Sequence, residues 1–375
     1  MKILFLQDDF PPKSFGGAGI VAFSQAKVLK AKGHSVSVVT AVQEKADEGE
    51  LEHEGLKVFR IYSKYHIRWQ GYLSLYNLRT VSKIKKIITE IKPDIVHAHN
   101  IHYHLSYNAL KLAKKSGAKV FLTAHDAMSF HYGKVDKVEE ISPWTQFRKY
   151  KLRYNPFRNL IIKHYLKYVD KIFAVSHALE KALNTNGITN TLVVHNGIDV
   201  GEWQSDESRV SRKTVLFGGR ISEAKGSGQA LLAIDLVIEK IPEAELVVMG
   251  REELPGAKSL GWLSGDGLKE AFRSCDIVLV PSLYLDPLPT VVLEAMASKK
   301  PVVGTCFGGT PEMIVDGKTG YIVDPYDTRL LAERITGLLS DETKAKQFGE
   351  AGFERVQTEF SLEKQVDKLL HQYNC

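Results

Sequence analysis

The sequence predicts an α/β protein built from two Rossmann-like, doubly wound domains. Three observations carry this expectation. Short β-rich apolar runs alternate with longer segments of helical period, which is the pattern of a parallel sheet with crossover helices. The chain has 375 residues, more than the roughly 250 to 300 at which a single hydrophobic core stops growing. The alternation is also interrupted at 199–213, where DVGEWQSDESRVSRK follows neither period, and then begins again.

The elements follow in order. KILFLQ at 2–7 is far shorter than a signal-peptide h-region and meets Asp8 and Asp9 instead of a small-residue cleavage site, so it reads as a first strand. Further strands are expected at 35–40, 57–62, 94–99, 119–125, 171–176 and 191–196, with helices between most of them. After a hinge over 199–213, a second series runs through strands at 214–219, 245–250, 276–282, 301–305 and 320–325, and the chain is then helical to its last residue. In doubly wound sheets the binding loops lie at the carboxyl ends of the strands, where they lead into helix N-termini.

Composition narrows the class. With 44% hydrophobic and 25% charged residues, the chain is neither disordered nor fibrous. No stretch approaches the roughly 18 apolar residues of a membrane span, so a soluble or at most peripheral protein is expected. Three cysteines, Cys275, Cys306 and Cys375, form no CxxC pair and suggest neither a disulfide framework nor a zinc site, which fits a reducing cytoplasm. A net charge of +6 is too modest to indicate nucleic acid as a partner.

Three loops carry candidate chemistry. After the first strand, DDFPPKSFGGAG exposes backbone amides at Gly16, Gly17 and Gly19 beside a helix start, a place for an anion or a sugar hydroxyl. The spacing is not G-x-G-x-x-G, and no acidic residue ends the second strand, which argues against a nicotinamide cofactor. In TVLFGGRISEAKG, Arg220 and Lys225 bring two cations to a helix N-terminus, where they can hold a diphosphate and stabilise its charge as it leaves. A D-x-D metal signature is absent from the sequence, so these cations would replace a metal. In PSLYLDPLPTVVLEAMA, Asp286 sits in a loop, the amides of Leu288 and Thr290 open a helix around Pro289, and Glu294 follows about a turn later. Those carboxylates either satisfy the helix dipole or accept from sugar and ribose hydroxyls.

This last segment resembles the E-x7-E signature of the retaining glycosyltransferases of family 4. Along the chain FPPKSFGGAG, KGHSVSVVT, PDIVHAH, LTAHD, VVHNGID, GGRISEAKG and GGTPEMIVDGKTGYIVDP appear in the same order as in that family. The resemblance implies a GT-B architecture: two Rossmann-like domains facing a central cleft, with a C-terminal helix crossing back. The domains would be 1–198 plus 358–375 on the acceptor side and 199–357 for the nucleotide sugar. It further implies that Glu294 binds the donor ribose, Asp286 a donor sugar hydroxyl, and Arg220 and Lys225 the diphosphate. Gly16 and Gly17 would face the donor phosphate and the acceptor, and His125 would lie near the reacting sugar. Leu288, Pro289 and Thr290 would complete the donor loop. The sequence departs from the family at Asp286, usually Glu, at Leu288-Pro289, usually Phe-Gly, and in a shortened segment before Trp262, which leaves the sugar and the base open.

The resemblance implies no cofactor or metal, a nucleotide-diphosphate sugar as co-substrate, and a glycan or lipid-linked acceptor, as in the synthesis of cell-surface polysaccharide or glycolipid. The alternatives are a catalytically altered GT-B protein that binds sugar nucleotides or glycans, and a nucleotide-sugar epimerase. His97, His99, His102 and His104 cluster like metal ligands but lack zinc spacing, and the region could as easily line an acceptor cleft. The basic, aromatic stretch 144–171 reads as a solvated helix with its aromatics packed inward, as a peripheral contact with anionic membrane or a lipid diphosphate acceptor, or as a site for an acidic polymer.

Overall fold

The computed structural model describes residues 1–13, 16–136, 138–203 and 213–375. Residues Met1–His195 and Gln365–Cys375 form one compact unit, and Asn196–Lys364 form the other. The expected boundaries lay at 198 and 358. They move because the Ile198 amide donates to Phe360 and the Leu362 amide to Ile198, both at 3.0 Å, tying these segments together within the second unit. Of the predicted hinge, 204–212 lies outside the described residues, and Val200–Trp203 form a short 3-10 turn with Trp203 packed edge-on against Phe272.

In chain order the first unit contains β1 (Lys2–Leu6), α1 (Gly17–Ala31), β2 (Ser35–Val42), β3 (Gly49–His53), β4 (Leu56–Tyr62), α2 (Gln70–Leu73), α3 (Leu78–Ile91) and β5 (Ile95–Ala98). It continues with α4 (Asn108–Lys115), β6 (Lys119–Ala124), α5 (Pro143–Tyr150), α6 (Arg158–Leu166), β7 (Lys171–Ala174), α7 (His177–Thr185) and β8 (Thr191–Val193). The strands lie in the order β3-β4-β2-β1-β5-β6-β7-β8, and every pairing is parallel except β3 with β4. Ile3, Leu4, Phe5 and Leu6 are buried on both faces of β1, as expected for a parallel strand covered by helices on each side. Local signals set the helix ends. In α3 the Asn77 side chain caps the first turn, Ile84, Ile87 and Ile88 form the inward stripe, and Lys92 ends the helix in a left-handed conformation before Pro93.

The antiparallel strand β3 was not foreseen. Its two-residue connection to β4, Glu54-Gly55, has positive φ at both positions, 45° and 76°, the backbone of a type I′ hairpin turn.

The second unit runs β9 (Thr214–Phe217), α8 (Ser227–Ile238), β10 (Glu245–Val248), β11 (Lys258–Ser259), α9 (Gly265–Ser274), β12 (Ile277–Val280), α10 (Thr290–Ala297) and β13 (Val302–Thr305). There follow α11 (Thr310–Met313), β14 (Gly320–Val323), α12 (Thr328–Ser340), α13 (Glu342–Glu359) and α14 (Leu362–Asn374). The sheet order β11-β10-β9-β12-β13-β14 is wholly parallel and is the Rossmann order, with its reversal between β9 and β12. Most of α14 belongs to the first unit, where Val366, Leu369 and Tyr373 are buried. Among the described residues no helix is long and apolar enough to cross a membrane.

Candidate active site

Each sheet has one topological switch point, and the predicted site residues gather at both. In the second unit the loops after β9 and β12 flank the reversal. The first carries Arg220 and Lys225, and the second carries Asp286, Leu288, Pro289 and Thr290. Two glycines, one in the β9 loop and one in the loop after β13, let neighbouring loops touch the β12 loop. Gly226, at φ 79°, abuts the Pro281 carbonyl so closely that a Cβ would sit 2.0 Å from its oxygen. Gly308, at φ 68°, lies equally tight against the Asp286 backbone, and the Gly309 amide donates to the Asp286 carbonyl at 2.9 Å. The Leu283 amide donates to Ala224 at 2.9 Å, a further bond between the two loops.

The side chains then meet. Lys225 Nζ is 2.5 Å from Asp286 Oδ2, and the Ser282 hydroxyl donates to the same oxygen at 3.1 Å. The Lys225 ammonium also lies 5.6 Å from the centre of the Tyr284 ring. Arg220 is exposed at the end of the β9 loop. Leu288 and Pro289 are buried at the start of α10, and Thr290 begins that helix. Glu294, one turn on, is hydrogen-bonded to the Thr290 side chain. The Glu294 residue is partly accessible, but its carboxyl group is surrounded by protein, and the lost hydration pushes its pKa up to about 7. Trp262, half exposed, stacks under the Arg251 guanidinium at 5.5 Å in the loop region beyond β10.

In the first unit the reversal lies between β1 and β5. Gly16 is the N-cap of α1 and Gly17 its first residue. Asp8, just past β1, is buried and accepts from the amides of Tyr103, His104 and Leu105 at 2.7, 2.9 and 2.7 Å, fixing the loop after β5. Burial outweighs those three bonds and raises its pKa to about 7. His125, at the end of β6, has Nε2 2.9 Å from His99 Nδ1, with the rings stacked at 5.2 Å. One of the two nitrogens must donate, so the pair fixes a tautomer. Desolvation lowers the His125 pKa to about 4, so the ring is neutral near pH 7.

The other histidines are engaged by protein. His97 lies between the Tyr373 hydroxyl at 2.5 Å and the Thr123 hydroxyl at 2.7 Å. His104 faces the Ser63 hydroxyl at 3.1 Å, and His102 faces the Asp126 carboxylate at 3.3 Å. The sequence alone assigns no site role to Asp8, Ser282 or Tyr284, and it places His99 in a histidine cluster without pairing it to His125. Only Asp8 carried a local signal, an acidic residue directly after an apolar strand.

Within 144–171 the aromatic side chains divide between packed and exposed. Phe147, Tyr150 and Tyr154 pack inward with Met128 and Tyr132. Arg158, grouped with the surface cations in the sequence, is instead fully buried, donates to the Met128 carbonyl and lies 5.6 Å from the Tyr132 ring. Trp144, Leu152, Phe157 and Leu160 remain exposed.

Two parallel-sheet α/β units, each with its loops gathered at the carboxyl ends of the strands, define a protein of the GT-B class. The chain matches the model of glycosyltransferase family 4 over residues 15–202 and that of glycosyl transferases group 1 over residues 202–355. It therefore belongs to this glycosyltransferase family. Glycogen synthase of Mycobacterium tuberculosis is 23% identical across 96% of this chain and 91% of its own length. Alpha-maltose-1-phosphate synthase of Mycolicibacterium smegmatis is 25% identical across 100% and 99%. Among solved structures, Anabaena HepE in complex with UDP superposes with a TM-score of 0.74 at 20% identity, covering all of both chains. The sucrose-phosphate synthase of Thermosynechococcus elongatus superposes at 0.75 with 18% identity, covering 100% and 98%.

Proposed function

We propose that this glycosyltransferase transfers a sugar, with retention of anomeric configuration and without a metal, from a nucleotide-diphosphate donor to a glycan or lipid-linked acceptor. The observation that carries the donor reading is the Lys225–Asp286 pair at the switch point of the second sheet, with Glu294 one turn inside the adjoining helix. Lys225 and Arg220 would neutralise the diphosphate, Glu294 would accept from the ribose, and Asp286 would orient the sugar. Trp262 with Arg251 offers an aromatic face for the base. Leu288, Pro289 and Thr290 would line the donor loop, and Gly16 and Gly17 would approach its phosphate. Neutral His125 would hold a hydroxyl of the reacting sugar.

In the same-face reaction the acceptor oxygen bonds to the anomeric carbon as the bond from that carbon to the phosphate oxygen breaks. The acceptor proton passes to the departing diphosphate, so no side chain is needed as a base. A role in cell-surface polysaccharide or glycolipid synthesis fits a lipid-linked acceptor, and the cytoplasm, where nucleotide sugars are made, fits the donor.

The test is a thermal-shift and hydrolysis panel of nucleotide diphosphates and nucleotide sugars, run with and without a chelator. A stabilising donor whose effect survives chelation supports the reading, and the anomeric configuration of the product, read by NMR, tests retention. No shift with any nucleotide would overturn it.

A further inference from the structure

The surface left over by the division of 144–171 adjoins a second segment with the same character. Residues Ile67–Trp69 and α2 pack against the 3-10 turn Lys151–Arg153, and Gly71 sits so close that a Cβ there would meet the Arg153 carbonyl oxygen at 2.4 Å. Ile67 and Trp69 on one segment, and Trp144, Leu152, Phe157 and Leu160 on the other, are each between 49% and 79% exposed. Arg68, Arg148, Lys149, Lys151, Arg153 and Lys163 are exposed among them. No Asp or Glu occurs between positions 64 and 89, or between 141 and 169.

The segment is firmly held, so these side chains are not exposed for want of packing. Gln146 Oε1 accepts from the Tyr132 amide at 2.9 Å, the Tyr132 hydroxyl reaches Gln70 at 3.3 Å, and Arg158 holds the Met128 carbonyl. One set of aromatics fills the core, and a second set is exposed on segments that also carry exposed cations.

We propose that this face docks on the surface of an anionic lipid bilayer, with the aromatic and leucine side chains entering the headgroup boundary and the lysines and arginines pairing with acidic headgroups. Two features select this occupant. A soluble acidic polymer would satisfy the cations but leave Ile67, Leu152 and Leu160 in water. A second copy meeting the same face would set like charges against each other with no acidic residue to relieve them. The inference is independent of the donor chemistry, since the assay needs no turnover.

The experiment is co-sedimentation of the full chain with vesicles of phosphatidylcholine alone and of phosphatidylcholine with one third phosphatidylglycerol. Binding to the second at least tenfold tighter than to the first is expected, with a blue shift of Trp69 and Trp144 emission and quenching by brominated lipid. Leu152→Ser with Leu160→Ser keeps every charge and should weaken vesicle binding about tenfold, with the thermal midpoint confirming an intact fold. Equal binding by this variant would reduce the face to a polyanion site and overturn the proposal. So would absence of vesicle binding, or a dimer in sedimentation velocity that the same variant disrupts.

Discussion

Lys225 and Asp286 are 61 residues apart in sequence, yet Lys225 Nζ and Asp286 Oδ2 approach to 2.5 Å across the switch point of the second sheet. The pair fixes the lysine beside the first turn of α10 in the second unit. Under the proposed function, a donor diphosphate reaching Lys225 would compete with a carboxylate already paired to it.

Lys225→Ala is expected to lower kcat/KM for donor by at least a hundredfold, because a fixed cation at the leaving phosphate is removed and the mostly buried Asp286 keeps only the Ser282 hydroxyl. Lys225→Arg should restore part of it. Steady-state transfer kinetics and donor titration check both, and wild-type activity in the alanine variant would remove Lys225 from the donor site.

Glu294 predicts a pH dependence with a definite sign. Its folded pKa of about 7 lies above the ordinary carboxyl value, so stability is greatest where the folded group is still protonated and declines as pH rises from 4.5 through 7. Glu294→Gln should therefore stabilise the ligand-free protein at pH 8, by on the order of 2 kcal/mol, while losing transfer. In the wild type, donor affinity should rise as pH passes upward through 7, since the carboxylate is the form that accepts two ribose hydroxyls. Calorimetric donor titrations from pH 6 to 8.5, flat in the variant and sloped in the wild type, would bear this out.

Acid should unfold the first unit early. His97, His99, His102, His104 and His125 are all depressed below 6.5 by burial, with values of about 3 for His97 and about 4 for His104 and His125. The unfolded chain takes up these protons first as pH falls below 6.5, and each histidine steepens the loss by up to about 1.4 kcal/mol per pH unit. Asp8, raised to about 7, works in the opposite direction and offsets one of them. Urea midpoints measured between pH 7 and 4.5 should fall steeply, and a level profile would contradict the buried neutral cluster.

Gly308→Ala adds a Cβ at positive φ within 2.1 Å of the Asp286 carbonyl oxygen. The backbone must yield, which is expected to cost about 1 to 3 kcal/mol and to displace Asp286. Activity should fall more than stability alone explains, measured as residual kcat at a temperature where the variant remains folded.

Much of the fold was legible in the sequence because a parallel sheet buried on both faces leaves continuous apolar runs, as in KILFLQ and DIVLVPS. The strand β3 was not, since GELEH is short, polar and exposed, and only the backbone sign at Glu54-Gly55 marks its hairpin. Arg220, Lys225, Asp286 and Glu294 could be placed in loops or helix starts at strand ends because their motifs are local. The pairing of Lys225 with Asp286, and of His99 with His125, depends on which strands become neighbours, which periodicity does not reveal. Arg158 sits in a run of cations that reads as surface, whereas Tyr132, Tyr154 and the Met128 carbonyl surround it inside the fold.

The return of α14 to the first unit has a consequence for how the molecule is made. Tyr373 closes over His97, and the residues that do so are translated only after the whole of the second unit. A nascent chain can assemble its second sheet while the first still lacks a piece of its core. The half that leaves the ribosome first is therefore the half that is finished last, and His97 lacks its Tyr373 partner until then.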